Sequence, residues 1–380
     1  MNKAKRYQTL IPLILALILS LTGCGAQKTY SSVEHTEYGL DEIDFSKQAQ
    51  AYMEYIGTNM PDRSGLFSDH DDARDFIVTE LIDAGYSKEQ IVLQKVNGKS
   101  GENIILKVPG SGSSAQKSIV AGAHYDGDGV GDNGSGVALL LAEAVSLVNR
   151  ELPMTTYYVF FDQEESGGIG STTFVDKLSK EELKSIQYMI NIDAIAFGDY
   201  CNIYSGKQDP KTGDVSQLEI YDYVCSLASD LGFNVYGTET LDGYFEEHGE
   251  GPALDSKGIF TNPWTKANPA PEDTVPDELH TYSPTTLSAS DHAPFMEAGV
   301  PYVYFESTNW YVADPDWPDM SYIGYSDVGD LSLGENGCIM NTEFDNLDYL
   351  NEHFPERSME HFKLYSPIMT RLIMEPFYGF

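Results

Sequence analysis

Residues 118–136, SIVAGAHYDGDGVGDNGSG, carry the pattern that decides the fold. The uninterrupted apolar run at 118–123 is typical of a strand buried on both faces of a parallel sheet. A polar, glycine-rich loop follows, and apolar residues then resume at helical spacing over about 135–148. The stretch therefore predicts a buried strand, a loop rich in aspartate, and a helix, in that order.

The same alternation recurs on both sides of this stretch. Further strand-like runs are TTYYVFFD (155–162) and YMINID (188–193), with a helical segment near 170–178 between them. Two β-like runs, IVLQKV and NIILKV, come earlier, after helical segments at about 41–57 and 71–84. The order predicts an α/β fold with a mainly parallel, mixed sheet flanked by helices on both faces.

Chemically active side chains follow three of these predicted strands. His124 and Asp126 come after SIVAGA, Glu164 and Glu165 after YYVFFDQ, and Asp193 ends YMINID. Because ligands bind beyond the carboxyl ends of parallel strands, these groups are expected to meet at one edge of the sheet. Clustered carboxylates disfavour one another's ionisation, and a divalent cation removes that cost. One imidazole with several carboxylates favours catalytic zinc over manganese or cobalt.

Four ordered segments carry a resemblance to a known family: AGAHYDGDGVGDNGSGVALLLA, FFDQEESGGIGS, NIDAIA and SDHAPFMEAGVPYVYF. From about 103 to 346 the chain resembles the co-catalytic di-zinc aminopeptidases of bacteria, a family that includes the glutaminyl cyclases. The resemblance implies one zinc-peptidase (phosphorylase/hydrolase-like) domain holding two zinc ions. It implies a metal-dependent exopeptidase that removes the amino-terminal residue of peptides through a metal-bound water.

The resemblance also implies which residues hold the metals. His124 and Asp193 would bind the first zinc, Glu165 would bind the second, and Asp132 would bridge the two. We expect the first site to be complete and the second to depend on one more ligand from the carboxyl-terminal part of the chain.

The catalytic roles implied by the resemblance fall to Glu164 and Asp126. Glu164 would act as the general base that takes a proton from the attacking water and returns it to the leaving amine. Asp126 would orient the imidazole of His124 and raise its basicity. Adjacent Glu164 and Glu165 can do different work because successive side chains leave an extended segment on opposite sides.

The pattern departs from the family at Asn341. Relatives supply the last metal ligand as a histidine in a His-Thr-x-x-Asp pattern, and the matching stretch at 341–346 is NTEFDN. A neutral amide oxygen is expected to hold zinc less tightly than an imidazole, so the second zinc site is expected to be weak. A glutaminyl cyclase-like aminoacyltransferase and a non-catalytic binding lipoprotein on a degenerate peptidase fold therefore stay open as alternatives.

Other histidines are assigned smaller parts. His292 is expected to form hydrogen bonds at the margin of the site, and His353 and His361 are expected to face solvent on a helix. His248 and His280 flank an insertion at about 237–284 that could form a wall or lid of the substrate pocket.

The amino terminus, MNKAKRYQTLIPLILALILSLTGCG, has the basic, apolar and small-residue regions of an export signal. Its LTGC ending resembles a lipoprotein cleavage site and predicts a signal peptide over 1–24, with Cys24 lipidated; an ordinary secretory signal is the alternative. Residues 25–40 are polar and predict a tether, and residues 41–380 are predicted to form the catalytic domain.

The charge balance limits the partners. The chain has 59 acidic and 23 basic residues and a formal net charge of −36, which repels nucleic acid and anionic lipid headgroups. Membrane attachment is therefore expected through the lipid on Cys24, at the extracytoplasmic face of a bacterial cell membrane. The expected substrates are peptides with a free amino terminus, and the oligomeric state is left open.

Overall fold

The computed structural model describes residues 33–65, 67–98, 101–212, 215–216, 219–233, 236–237, 253–254, 260–261, 281–283, 290–308, 327–330 and 332–378. The predicted signal peptide, Cys24 and most of the insertion at 237–284, with His248 and His280, lie outside these ranges. The division of the chain into signal, tether and catalytic domain thus stays a prediction. Within the described ranges, no helix is both long and apolar enough to cross a membrane.

The first half of the chain follows the predicted alternation closely. Helix α2 ends where Gly85 adopts a φ of 121°, a conformation that favours glycine. The elements are α1 (Ser46–Asn59), α2 (Ser68–Ala84), β1 (Ile91–Lys95), β2 (Glu102–Val108), β3 (Ser118–His124), α3 (Gly134–Ser146), β4 (Thr155–Phe161), α4 (Ile169–Lys177), α5 (Lys180–Ser185) and β5 (Ile186–Ile192). Short 3₁₀ turns occupy Lys88–Gln90 and Gly112–Ser114.

The second half has shorter elements and ends in the longest described helix. These elements are β6 (Tyr200–Gln208), β7 (Val215–Ser216), α6 (Glu219–Asp230), β8 (Tyr236–Gly237), β9 (Ala253–Leu254), β10 (Phe260–Thr261), β11 (Thr281–Ser283), α7 (Ala293–Glu297), β12 (Tyr302–Thr308), α8 (Leu347–His353) and α9 (Arg357–Met374).

Most of the described strands form one mixed sheet in the order β1-β2-β4-β3-β5-β12-β6-β11-β8, with β7 paired to β6. The four central strands β4, β3, β5 and β12 are parallel, and β2 and β6 run antiparallel to them on either side. The predicted α/β fold with a mixed sheet is confirmed. Because the central strands are parallel, β3, β4 and β5 end at the same edge.

Apolar residues cover both faces of this sheet. On one face α3 packs against α1 and α9, and every residue of α3 from Gly134 to Val145 is buried. On the other face Phe161 of β4 contacts Phe174 of α4 and Phe295 of α7. Each such side chain contributes about 1.5–3 kcal/mol through burial, so the edge that carries the polar residues is held by a rigid core.

One prediction about the histidines is wrong. His361 is only 6% exposed, and its Nδ1 lies 2.9 Å from the carbonyl oxygen of Ile195 and 3.1 Å from Ser307 Oγ. It lies on the face of α9 that packs against the sheet, where polar groups of the chain satisfy the ring. His353 is exposed, as predicted.

Candidate active site

His124 is the last residue of β3 and its side chain is buried. Its Nε2 lies 3.1 Å from Asp132 Oδ1 and 3.2 Å from Asp193 Oδ1. Asp132 ends the loop before α3, and Asp193 directly follows β5. The carboxylates of Asp132 and Asp193 therefore meet at one nitrogen of the His124 ring. The structure thus brings together three of the four metal-ligating residues predicted from the sequence.

The other ring nitrogen of His124 faces Asp126. Nδ1 lies 3.3 Å from the main-chain oxygen of Asp126 and 3.6 Å from its Oδ1. The same Oδ1 accepts a hydrogen bond of 3.1 Å from the backbone N–H of Glu164. Asp126 thus contacts the ring on the nitrogen that faces away from Asp132 and Asp193. It also links the ring to the loop that carries Glu164, the predicted base.

Glu164 and Glu165 lie in the loop between β4 and α4. The backbone turns at Gln163, which has a φ of 62°, and leaves Glu164 half-buried and Glu165 exposed. Ligand atoms of His124, Asp132 and Glu165 all lie within 4.8 Å of one another. Together with Asp193 beside the His124 ring, the group has the imidazole and carboxylate donors that suit zinc.

A chain of hydrogen bonds supports Asp193. Its Oδ2 accepts from Ser290 Oγ at 2.6 Å, and Ser290 Oγ accepts from Asn191 Nδ2 at 2.8 Å. Asn191 Nδ2 also lies 3.3 Å from Nδ1 of His292, which is fully buried. His292 is therefore two residues removed from the carboxylate cluster, in the marginal position expected from the sequence.

Asn341 reaches the cluster from the carboxyl-terminal part of the chain. Its Nδ2 donates a hydrogen bond of 3.2 Å to Asp132 Oδ2, the oxygen that is not turned towards His124. Asp327 fixes the preceding turn, because its Oδ2 accepts from the backbone N–H of Met340 at 2.8 Å and of Ile339 at 2.5 Å. The segment that departs from the family pattern thus lies against Asp132.

The carboxylates of the cluster have raised pKa values. Burial, together with repulsion from Asp291 and Asp193, raises the pKa of Glu164 to about 9, and burial raises the pKa of Asp291 to about 7. Burial likewise raises the pKa of Asp132. Since these groups cannot all be ionised near neutral pH without compensation, the donor set fits a divalent metal ion.

A comparison with known families matches part of the chain. Residues 103–247 match the model of peptidase family M28. This M28 region contains the residues from His124 to Asp193 described above, whereas Asn341 and the Ser290–His292 segment lie beyond it. The resemblance to zinc aminopeptidases drawn from the motifs is confirmed at the level of the family.

Curated relatives match short parts of the chain. A probable lipoprotein aminopeptidase, LpqL, of Mycobacterium tuberculosis is 42% identical over 99 residues, 25% of this chain and 19% of the relative. Leucine aminopeptidase 2 of Arthroderma otae is 31% identical over 136 residues, 34% of this chain and 27% of the relative. The matched segments therefore span about a fifth to a quarter of the relatives' lengths.

Solved structures with low sequence identity share the fold. A glutaminyl cyclase from an Acidobacteriales bacterium superposes with a TM-score of 0.56 at 17% identity, covering 91% of this chain and 99% of that one. The LapA aminopeptidase of Legionella pneumophila gives 0.52 at 14% identity, covering 89% and 78%. The same α/β architecture thus occurs in proteins named for two different activities.

Arg63, at a position that sequence reasoning missed, holds the loop that carries Asp126 and Asp132 from one side. Its side chain is only 1% exposed, and Nε and Nη2 donate to the carbonyl oxygens of Tyr125 and Gly129 at 3.0 and 2.6 Å. Its backbone N–H donates to Gly127 at 2.7 Å. A lone arginine between two helices carries no motif, so only the folded chain reveals this contact.

Asp345 holds the same loop from the opposite side. Its Oδ1 and Oδ2 accept from the backbone N–H groups of Gly131 and Asp132 at 2.5 and 2.9 Å. A side chain at Gly129 would place its Cβ 2.2 Å from Asp345 Oδ2, so glycine is required there. Arg63 thus donates hydrogen bonds to carbonyl oxygens of the loop, and Asp345 accepts hydrogen bonds from its N–H groups. The opposite charges of the two side chains favour this arrangement.

We predict that Arg63→Lys weakens zinc binding by about tenfold or more, the usual effect of losing a group that orients metal ligands. A lysine can replace only part of the planar fork that spans two carbonyl oxygens. Competition with a chromogenic chelator measures the affinity. Arg74→Lys, at a partly exposed arginine paired with Asp71 and Asp75, is the matched control. An unchanged zinc affinity in Arg63→Lys would refute the role of this residue.

Proposed function

We propose that this protein is a zinc-dependent aminopeptidase that removes the amino-terminal residue of peptides. The observation that carries the proposal is the meeting of His124, Asp132 and Asp193 at one imidazole nitrogen, with Glu165 within ligand distance, inside an M28 region. The aminopeptidase names of the curated relatives support the same activity.

The residues of the chain divide the work of hydrolysis. His124, Asp132, Asp193 and Glu165 would hold zinc, which supplies Lewis acidity that polarises the scissile carbonyl. Glu164 takes the proton of the attacking water and delivers it to the leaving amine.

Support for Glu164 comes from its surroundings. Burial and the nearby Asp291 and Asp193 raise the pKa of its carboxyl group, and its backbone N–H donates to Asp126 behind the His124 ring. Such strongly shifted groups in a cluster mark candidate acids and bases.

A substrate with a free amino terminus suits this site. The α-ammonium group lies two bonds from the scissile carbonyl carbon, so it must be accommodated close to Glu164 and Asp193. Their carboxylates favour a cation there, whereas an acylated amino terminus brings no charge and more bulk. An exopeptidase preference follows from this electrostatic selection.

The test compares blocked and unblocked substrates. We expect the full-length protein with zinc to release 4-nitroaniline from L-leucine 4-nitroanilide and not from its N-acetyl derivative. Equal rates would contradict an aminopeptidase. Cyclisation of a glutaminyl peptide without anilide hydrolysis would favour the cyclase alternative, and binding without either reaction would favour a non-catalytic lipoprotein.

We predict that Asn341→His raises affinity for a second zinc ion by about tenfold or more, because imidazole is a better zinc ligand than a neutral amide. The wild type is expected to retain one tightly bound zinc after gel filtration, and the variant two. Elemental analysis measures the stoichiometry. Asn336→His is the matched control, since Asn336 shares both the left-handed backbone conformation and the exposure of Asn341 but lies on a neighbouring turn. Unchanged stoichiometry in Asn341→His would refute the assignment of this segment to the second site.

We further propose that the protein is anchored at the extracytoplasmic face of the cell membrane by a lipid on Cys24. The LTGC pattern and the lipoprotein name of the mycobacterial relative support this. Metabolic labelling with a fatty acid tests it, because Cys24→Ser is expected to abolish incorporation and release the protein from the membrane fraction.

A further inference from the structure

Glu306 on β12 has an unusual set of partners. Its Oε1 accepts a hydrogen bond from Tyr304 and its Oε2 one from Tyr204, both at 3.1 Å. Both tyrosines are buried, with 6% and 3% of their surface exposed, while Glu306 keeps part of its surface accessible. No Lys, Arg or His of the described residues forms an ion pair with Glu306. Two neutral phenols are therefore the partners of a carboxylate.

The sheet places Glu306 beside the candidate metal centre. β12 pairs with β5 in parallel, with Tyr304 opposite Asn191 and Phe305 opposite Ile192. Asp193 continues this register, because its N–H donates to the carbonyl oxygen of Phe305 at 3.0 Å. Side-chain alternation therefore sets Glu306 on the same face of the sheet as Asp193, one strand away, a spacing of about 4.8 Å.

A carboxylate in this position favours a cationic ligand. Although part of its surface is exposed, the carboxyl group is enclosed by protein, and this burial, with the nearby Asp193, raises the pKa of Glu306 to about 8. A cation that enters restores the ionised form. The rings of Tyr204 and Tyr304, whose centroids are 5.5 Å apart, are buried beside the carboxyl group and hold its two hydrogen-bond donors in place.

We propose, on the basis of the aminopeptidase function above, that Glu306 with Tyr204 and Tyr304 binds the cationic side chain of an amino-terminal lysine or arginine. The α-ammonium group of the substrate lies too close to the scissile carbonyl to be the cation that Glu306 binds, because Glu306 lies one strand beyond Asp193. A long basic side chain spans that extra distance. Glu306 is then a specificity-determining residue, and the preferred substrates are peptides with a basic first residue.

The experiment compares two side chains of similar length in the zinc-loaded, full-length protein. L-lysine 4-nitroanilide and L-norleucine 4-nitroanilide differ in the terminal ammonium group. We expect the ratio of their kcat/KM values to favour lysine in the wild type and to fall at least tenfold in Glu306→Gln, as when one partner of an enclosed charge pair is removed. Glu306→Asp keeps the charge and is expected to give an intermediate ratio. Glu297→Gln, at an exposed glutamate of α7, is the matched control.

A binding measurement separates this inference from the proposed function. Calorimetry with L-lysinol and L-norleucinol, which have no scissile bond, is expected to show tighter binding of lysinol by wild type and not by Glu306→Gln. Hydrolysis of both anilides with an unchanged ratio in Glu306→Gln would overturn the role of Glu306 alone. Absence of hydrolysis in the wild type would overturn the aminopeptidase, and the two amino alcohols would then still decide whether Glu306 binds the cation.

Discussion

Glu164→Gln is expected to abolish the hydrolysis of aminoacyl amides while the zinc content stays the same. Glutamine keeps the shape of the side chain but cannot accept a proton from water, and loss of a general base usually costs about 10²–10⁴-fold in rate. Glu164 is not one of the predicted ligands, so the cation should remain. Steady-state kinetics on L-leucine 4-nitroanilide and elemental analysis of the same preparation measure both properties.

Glu181→Gln, at an exposed glutamate of α5, is the control for this substitution. Its turnover is expected to equal that of the wild type. A Glu164→Gln variant with wild-type turnover would remove Glu164 from the mechanism, and one that loses both zinc and turnover would show a ligand rather than a base.

The second large effect is expected from Asp132→Ala. Asp132 contacts His124 with one oxygen and Asn341 with the other, so its loss removes a ligand shared by both predicted metal positions. We expect zinc to be lost on gel filtration and hydrolysis to fall by about 10³-fold or more, since both the cation and the geometry disappear.

The same variant has a distinctive thermal signature. In the wild type, zinc binds the folded chain and raises the melting temperature through mass action. Asp132→Ala is expected to lose this zinc-dependent rise, because a ligand shared by both predicted metal positions is gone. Differential scanning fluorimetry with and without zinc measures the rise.

Asp128→Asn is the control, because Asp128 lies in the same loop but is exposed. It is expected to keep the zinc-dependent rise in melting temperature. If Asp132→Ala retained that rise, Asp132 would not be a metal ligand, and the bridging role implied by the family resemblance would be wrong.

The sequence predicted the central strands because burial on both faces leaves a strong local pattern. SIVAGA, TTYYVFF and YMINI contain no charged residue and are mostly apolar or aromatic, and they form most of β3, β4 and β5. Strand order depends on long-range pairing, which leaves no comparable local signal. The insertion of β12 between β5 and β6, and the antiparallel direction of β6, therefore had to come from the structure.

In the candidate site, too, some residues could be predicted from the sequence and others could not. His124, Asp132, Glu165 and Asp193 could be found because each lies at or near the end of a recognisable strand or at the start of a helix. The side chains that hold them could not be found so easily, since Arg63 lies 62 and 66 residues before Tyr125 and Gly129, whose carbonyl oxygens it binds. Ser290 likewise reaches Asp193 across 97 residues of chain.

Asn341 illustrates what the sequence and the structure each contribute. The sequence identified the departure from the family pattern, and the structure puts the amide 3.2 Å from Asp132 Oδ2. Glu306 is the reverse case, because VYFEST reads as an ordinary strand and its glutamate gains meaning only from the register with β5. Roles that depend on a neighbouring strand thus escape sequence analysis even when the motif beside them is recognised.

The central claim is that the His124–Asp132–Asp193 cluster with Glu165 is a zinc centre that hydrolyses the amino-terminal amide bond. The most direct test strips the full-length protein of metal with a chelator and follows release of 4-nitroaniline from L-leucine 4-nitroanilide as zinc is added back. Our account predicts no hydrolysis in the stripped protein and recovery that saturates as zinc fills the site. Hydrolysis that persists without metal, or none at any zinc concentration, would contradict it.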